Sequence, residues 1–172
     1  MRKIIIGVMG PGDDARKSDI QTAYKLGKLI AQKGWVVLSG GRNVGVMDGV
    51  SRGAKSAGGL TIGILPTPDS STASAGLDMV IVTGMGDARN SINVLSSDVV
   101  VVCGMNPGTA CEVALAIKAK KPLIFINVNT KAQTFFQSLT RQSILICSAP
   151  DEVIAAAQKI VGKQFKLAHK KS

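Results

Sequence analysis

Apolar positions along the chain gather in seven short, unbroken runs: Lys3–Met9, Trp35–Leu38, Leu60–Leu65, Met79–Val82, Val99–Cys103, Leu123–Asn127 and Ile144–Cys147. A strand covered on both faces has no polar side to present, so continuous runs of this length predict buried parallel strands rather than half-exposed ones. Between them the pattern takes a helical period. Ser18–Lys33 sets Ile20, Ala23, Gly27 and Ile30 on one face and stops at Gly34, and Val46–Ala57 stops at Gly58-Gly59. Asp87–Leu95, Thr109–Lys120 (before Pro122), Lys131–Leu139 and Pro150–Val161 (before Gly162) are the remaining helical segments.

Strand–helix alternation implies right-handed crossovers and a parallel sheet flanked by helices. The expected fold class is therefore α/β, a Rossmann-like three-layer sandwich with a mostly parallel sheet of about seven strands. One domain over residues 1–162 and a basic tail over 163–172 account for the whole length. The one long polar connection, Pro66–Gly76, reads as a lid or a mobile link.

Composition adds constraints. Aromatic residues are only 3%, so the core must be built from Val, Ile, Leu and Ala. Cys103, Cys111 and Cys147 form no CxxC pair, and the single histidine, His169, lies in the tail. Three buried free thiols in a reducing compartment are expected, with no metal held by the protein. The Ile4-Ile5-Ile6 run is too short for a signal core and no stretch is long enough for a bilayer span, so a cytoplasmic location is expected. The net charge of +10 includes Lys163, Lys166, Lys170 and Lys171 of the tail. A basic chain attracts anions, and both phosphate ligands and nucleic acid qualify. The scarcity of aromatics among the cations disfavours a base-stacking nucleic-acid module.

The candidate chemistry lies in three glycine-rich turns, each at the carboxyl end of an expected strand: Gly7-Val8-Met9-Gly10-Pro11-Gly12, Ser39-Gly40-Gly41-Arg42-Asn43-Val44-Gly45-Val46-Met47-Asp48, and Gly104-Met105-Asn106-Pro107-Gly108-Thr109. Glycine admits a ligand close to backbone amides, and the following helix start adds unpaired N–H groups and partial positive charge. That combination suits phosphate. Ordinary NAD binding is disfavoured, because Ser39-Gly40-Gly41 stands where a ribose-binding acid would, and no GK[ST] P-loop is present.

Thr109, Glu112 and Arg89, near these turns, carry two readings each. Thr109-Ala110-Cys111-Glu112 fits a helix capping box, or a phosphate-binding threonine with an acid at the pocket rim. Arg89, past the fourth strand, is either a bidentate phosphate ligand or one half of a surface ion pair with Asp87 or Asp98. Arg42, inside the second glycine turn, is an anion ligand by position. Asp13 and Asp14 read as helix-start charges.

The segments Ser39-Gly40-Gly41-Arg42 to Gly45-Val46-Met47, Gly53-Ala54, Gly58-Gly59 and Ile62–Pro66 resemble the first block of the LOG-type Rossmann proteins, once mislabelled lysine decarboxylases. Arg89 and Gly108-Thr109-Ala110-Cys111-Glu112 resemble the second block, and the likeness runs from Ile5 to about Val161. Within that superfamily, Ile6–Gly12, Gly104–Ala110, Glu112–Ala116 and Lys118–Pro122 are similar to the molybdenum cofactor carrier proteins of algae and cyanobacteria.

This resemblance implies a homo-oligomer, a tetramer, that binds and protects molybdenum cofactor without turnover and delivers it to a molybdenum-enzyme apoprotein. The cofactor's own dithiolene holds the metal. The resemblance also assigns the pocket: Gly108 and Thr109 on the terminal phosphate, with Gly104, Met105, Asn106 and Pro107 beside them. Gly40, Gly41, Arg42, Gly45, Val46 and Met47 form the opposite wall, Gly10, Pro11 and Gly12 the floor, and Arg89, Asn90 and Glu112 supply side chains. The alternative is the hydrolase branch, which releases base and ribose 5-phosphate from nucleoside 5′-monophosphates through an Arg-Lys pair and PGGxGTxxE. Arg89 and Glu112 match its arginine and acid as the catalytic pair. Asn90 stands at the lysine, and Gly104-Met105-Asn106 at Pro-Gly-Gly. A module for another nucleotide is the third possibility.

Overall fold

All seven apolar runs become strands of one sheet, and every pairing in it is parallel. The computed structural model describes residues 2–168. In chain order the elements are β1 (Ile5–Met9), α1 (Lys17–Gln32), β2 (Val36–Ser39), α2 (Gly45–Ser56), β3 (Thr61–Leu65), β4 (Met79–Val82), a 3₁₀ turn (Gly86–Arg89), α3 (Asn90–Ser96), β5 (Val99–Cys103), α4 (Pro107–Lys118), β6 (Leu123–Ile126), α5 (Thr130–Ser138), β7 (Leu145–Cys147) and α6 (Pro150–Ala168). The strand order is β4-β3-β2-β1-β5-β6-β7. The chain steps outward from β1 to β4, crosses back to β5, and steps outward the other way. That reversal leaves a crevice at the carboxyl ends of β1 and β5, the place where open α/β sheets bind ligands.

The two faces have separate cores. Ile6, Val8, Val37, Val99, Val101, Ile124 and Ile126 meet α1, α2 and α6 on one face. Met9, Leu38, Ile64, Val100, Val102, Leu123 and Phe125 meet α3, α4 and α5 on the other. Phe125, the largest fully buried side chain, packs edge-on to Phe136 at 6.3 Å.

Several expectations need correcting. The outer runs are not buried strands: Met79, Val80, Ile81 and Val82 of β4 are 40–48% exposed, and Leu145 and Ile146 of β7 are exposed too. An edge strand has one neighbour, and the β3–β4 connection is a loop that brings no helix over it. That loop, read as a lid or a mobile link, packs onto the body of the protein. The Asn43 N–H donates to Thr72 O (2.8 Å), the Ser74 N–H to Gly41 O (2.9 Å), and Ser74 Oγ to Asp48 (2.7 Å), tying it to the second glycine turn.

The face of α1 is buried through Asp19, Ala23, Leu26, Gly27 and Ile30, while Ile20 is 36% exposed. Only Cys103 of the three thiols is buried; Cys147 is half-buried and Cys111 exposed. The last helix does not end at Gly162 but continues to Ala168, since a lone glycine costs a helix only about 1 kcal/mol. Lys163 and Lys166 therefore belong to α6, and His169, Lys170 and Lys171 lie outside the described residues. No helix among the described residues is long and apolar enough to cross a membrane.

Candidate functional site

The turns after β1, β2 and β5, with the 3₁₀ turn after β4, surround a cleft of about 200 Å³ at the predicted crevice. Of the residues expected there, Gly10, Gly12, Gly40, Arg42, Met47, Arg89, Asn90, Asn106, Gly108, Thr109 and Glu112 line it. Pro11, Gly41, Gly45, Val46, Gly104, Met105 and Pro107 do not. The N-terminus of α2 explains part of that division. Its Val46 N–H donates to Pro11 O (3.0 Å), so the β1 turn, not a ligand, satisfies it. Gly45 sits at φ +56, and a side chain there would strike the Pro11 and Gly12 carbonyls. The first two glycine turns are thus packed against each other, and they shape the cleft without offering that helix start to it.

The start of α4 is different. Thr109 is not its cap. Asn106 is: its Oδ1 accepts from the Thr109 N–H (2.9 Å) and from Thr109 Oγ1 (2.9 Å), with Pro107 at the first helical position. Asparagine is among the best capping residues and Pro107 is preformed for the first turn, so this pair displaces the capping box. The threonine hydroxyl is consequently engaged. Gly108 lines the cleft in the first turn of α4, where an N–H has no intrahelical acceptor.

Glu112, freed from the cap, turns to the cleft wall. Its Oε1 accepts from Asn93 Nδ2 (3.0 Å) and lies 3.6 Å from Arg89 Nη1. Arg89 is no surface ion pair: it is 8% exposed, its Nη1 donates to Asn90 Oδ1 (2.7 Å), and its Nε is buried without a partner. Asp98 instead takes Arg2 and the Ile5 N–H (2.9 Å). Burial lowers the Arg89 pKa, against the pull of Glu112. Burial pushes the Glu112 carboxyl up to about 7, against the Asn93 hydrogen bond and Arg89.

The folded carboxyl holds its proton to a higher pH than the unfolded one, whose value is near 4.5. Its contribution is intact below that value and is lost as pH rises through about 7. Glu112→Gln is expected to equal the wild type near pH 4.5 and to exceed it above pH 8 by on the order of 2–3 kcal/mol, read by urea denaturation at both pH values. Equal differences at the two would discard this account.

Gly40 has a specific reason to lack a side chain. A Cβ there would come within 2.7 Å of Arg89 Nη2 and Met47 Sδ. Both are ends of flexible side chains, so Gly40→Ala is expected to fold with a stability loss of about 1 kcal/mol, at the mild end of overpacking. The guanidinium it displaces should cost about tenfold in anion affinity, roughly one good hydrogen bond. Unchanged affinity would show that Arg89 is not held through Gly40.

Sequence reading missed several lining residues. Asp13 and Asp14 are not helix-start charges, because α1 begins at Lys17 with Arg16 as its cap. Asp13 pairs with Arg42 (3.1 Å) and Asp14 accepts from Asn106 Nδ2 (2.9 Å), so the β1 turn is clasped to both neighbours. Asp87, Val8 and Met9 also line the cleft. The signal available was position: two acids directly after a strand-end glycine turn. Among the described residues, no three His, Cys, Asp or Glu side chains gather as a metal would need.

Fold and site together define a Rossmann-like α/β protein with a ligand cleft at the topological switch of its sheet. The chain belongs to the SLOG cluster4 family, whose sequence profile matches residues 3–154. Its backbone superimposes on the molybdenum cofactor binding protein of the phototrophic bacterium Rippkaea orientalis with a TM-score of 0.92 and 53% identity, covering 94% of this chain and 99% of the other. The molybdenum cofactor carrier protein of Chlamydomonas reinhardtii gives 0.89 and 49%, with the same coverage. A cytokinin riboside 5′-monophosphate phosphoribohydrolase of Mycobacterium tuberculosis is 32% identical over 95 residues, 54% of this chain and 51% of the enzyme.

Proposed function

We propose that this protein binds and carries molybdenum cofactor without turning it over, and passes it to a molybdenum-enzyme apoprotein. The observation that carries the reading is the buried Arg89, with an unpartnered Nε, on the same cleft as Gly108 in the first turn of α4. A buried guanidinium and a helix N-terminus together suit a phosphate terminus. The likeness to cofactor-binding and carrier proteins over nearly the whole chain supports the choice of cargo.

In this reading Gly108, Arg89 and the Asn90 Nδ2 group hold the phosphate, and Arg42 meets it from the opposite wall. Thr109 acts through its bond to Asn106 rather than as a direct ligand. The cleft, at about 200 Å³, is smaller than the roughly 300–1,000 Å³ of a complete small-molecule pocket. The pterin would therefore extend into the open mouth. The metal stays on the cargo's own sulfur ligands, and the chain's work is to hold the anion and exclude water.

Self-assembly into a homo-oligomer, a tetramer, belongs to the same proposal. The exposed apolar edge strand Met79–Val82 supports it, since an uncovered edge of this kind invites aggregation unless something covers it. In the test, purified protein is mixed with freshly released cofactor. Slower oxidation and reconstitution of a recipient apo-enzyme are expected; decay at the rate seen in buffer would end the carrier reading.

One observation favours a second reading, nucleoside 5′-monophosphate hydrolysis: Arg89 and Glu112 do share the cleft, as the hydrolase pattern requires. Release of ribose 5-phosphate from AMP, abolished by Glu112→Gln, would establish it.

A further inference from the structure

The cleft holds more acid than base. Arg42 and Arg89 face Asp13, Asp14, Asp87 and Glu112. An anionic cargo entering such a site meets carboxylates as well as cations. The three aspartates stand at the turns, while Glu112 is buried with only 6% exposure and cannot shed its charge into water. Its one hydrogen bond comes from Asn93 Nδ2 at 3.0 Å, and its cation stands off at 3.6 Å, on the same Oε1. Arg89 is thus in loose electrostatic contact, available to a better anion. Beside this pair Asn93 is fully buried, and its Oδ1 has no partner. A buried amide oxygen without a donor is rare and calls for an explanation.

We propose that Glu112 takes up one proton when an anion occupies the cleft, and that Asn93 is the positioning residue that serves both charge states. This rests on the anion-binding reading of the cleft, though not on the identity of the cargo. With the cleft free, the Asn93 amide donates to the carboxylate. When the anion draws Arg89 away, the uncompensated carboxylate binds a proton from solvent. A half-turn of the Asn93 amide then sets Oδ1 to accept from the new O–H. No bond other than O–H forms, and no redox partner is needed. A buried carboxyl that has lost its cation favours the neutral form for two reasons: desolvation and the like charge of the anion.

The surroundings leave Glu112 as the group that responds. Among the elements packed against α4, α3 and β6 carry no titratable side chain, and the one thiol of β5, Cys103, packs on the opposite face of the sheet. On α4 itself Cys111 and Lys118 are directed away from this cleft, whose charged lining is the six groups named above. The position of Glu112's titration, raised by burial, makes uptake effective around neutral pH.

The experiment measures binding of inorganic phosphate, and separately of molybdenum cofactor, to the full chain from pH 6 to pH 8 for wild type, Glu112→Gln and Asn93→Leu. Phosphate's own ionisation is common to all three, so the ratio of wild type to E112Q isolates the coupling. Wild-type affinity should fall relative to E112Q as pH rises, by up to about tenfold per pH unit above the carboxyl's titration. In N93L that slope should shift along the pH axis while phosphate still binds. Infrared difference spectra of the wild type alone should show a protonated carboxyl band appearing with phosphate, which covers the case of a variant that fails to fold. Parallel pH profiles for wild type and E112Q, or no new carboxyl band, overturn the proposal. Absence of phosphate binding at every pH overturns it as well. Coupled phosphate binding without cofactor binding would keep the proton and remove the cargo.

Discussion

Arg89→Met is expected to weaken binding of an anionic ligand by about 30-fold or more, the range found when one member of a buried, hydrogen-bonded charge pair is truncated. Its stability consequence depends on pH. Methionine fills much of the volume but leaves Glu112 buried with no cation and only Asn93 as a donor. Breaking a buried pair this way costs about 3–5 kcal/mol if the remaining charge must stay. Glu112 can escape by keeping its proton, since burial already holds its pKa near 7 and Arg89 is one of the influences lowering it.

In the variant the folded pKa rises further while the unfolded value is unchanged. The unfolded states cancel in the comparison, so the penalty is small while Glu112 is protonated in both folded proteins and grows as pH climbs from about 7 toward the variant's higher value. Urea denaturation at pH 5 and pH 8, with phosphate titration in parallel, reads both effects. Arg89→Lys should recover part of the charge but not the fork geometry, and so only part of the affinity. A methionine variant that binds phosphate like the wild type would remove Arg89 from the site.

A second large loss of stability, independent of pH, is expected away from the cleft, where α1 crosses α2. A Cβ on Gly27 would run into the Val50 carbonyl, with the Ala54 amide nitrogen 2.8 Å away; one on Gly53 would run into the Tyr24 carbonyl. These neighbours are backbone and cannot rotate aside, unlike those of Gly40. Gly27→Ala should cost about 3 kcal/mol, the upper part of the overpacking range, even though alanine is the better helix former. Gly162→Ala supplies the contrast. It lies exposed inside α6, a Cβ there meets nothing within 4 Å, and the change should add up to about 1 kcal/mol. Denaturant midpoints for the two variants check the pair. If Gly27→Ala proves as harmless as Gly162→Ala, the close crossing of α1 and α2 is wrong. Because both helices begin at cleft turns, their separation should also loosen ligand binding.

The turns around the cleft are hydrogen-bonded to one another. Asp13, Asp14, Ser74 and the Pro11 carbonyl each tie one turn to another, so little ordering remains to be done on binding. Such a preset cleft suits the ligand-holding role proposed above.

The strands, their number and their parallel character were legible in the unbroken apolar runs, because burial on both faces erases alternation. The glycine turns disclosed which end of the sheet would carry the site, since close backbone approach needs them wherever the fold puts them. Burial of the edges was not legible: Met79–Val82 reads like Val99–Cys103, and only the sheet order decides which has neighbours on both sides. Nor could the spacing Thr109–Glu112 say whether the acid returns to its own helix or reaches across to Arg89. That choice fell to Asn106, which caps α4 from outside the pattern, and to Asn93, brought alongside by the packing of α3 on α4. Local periodicity fixes what one segment prefers. Which buried charge meets which partner depends on contacts between segments far apart in the chain, and only the tertiary structure supplies those.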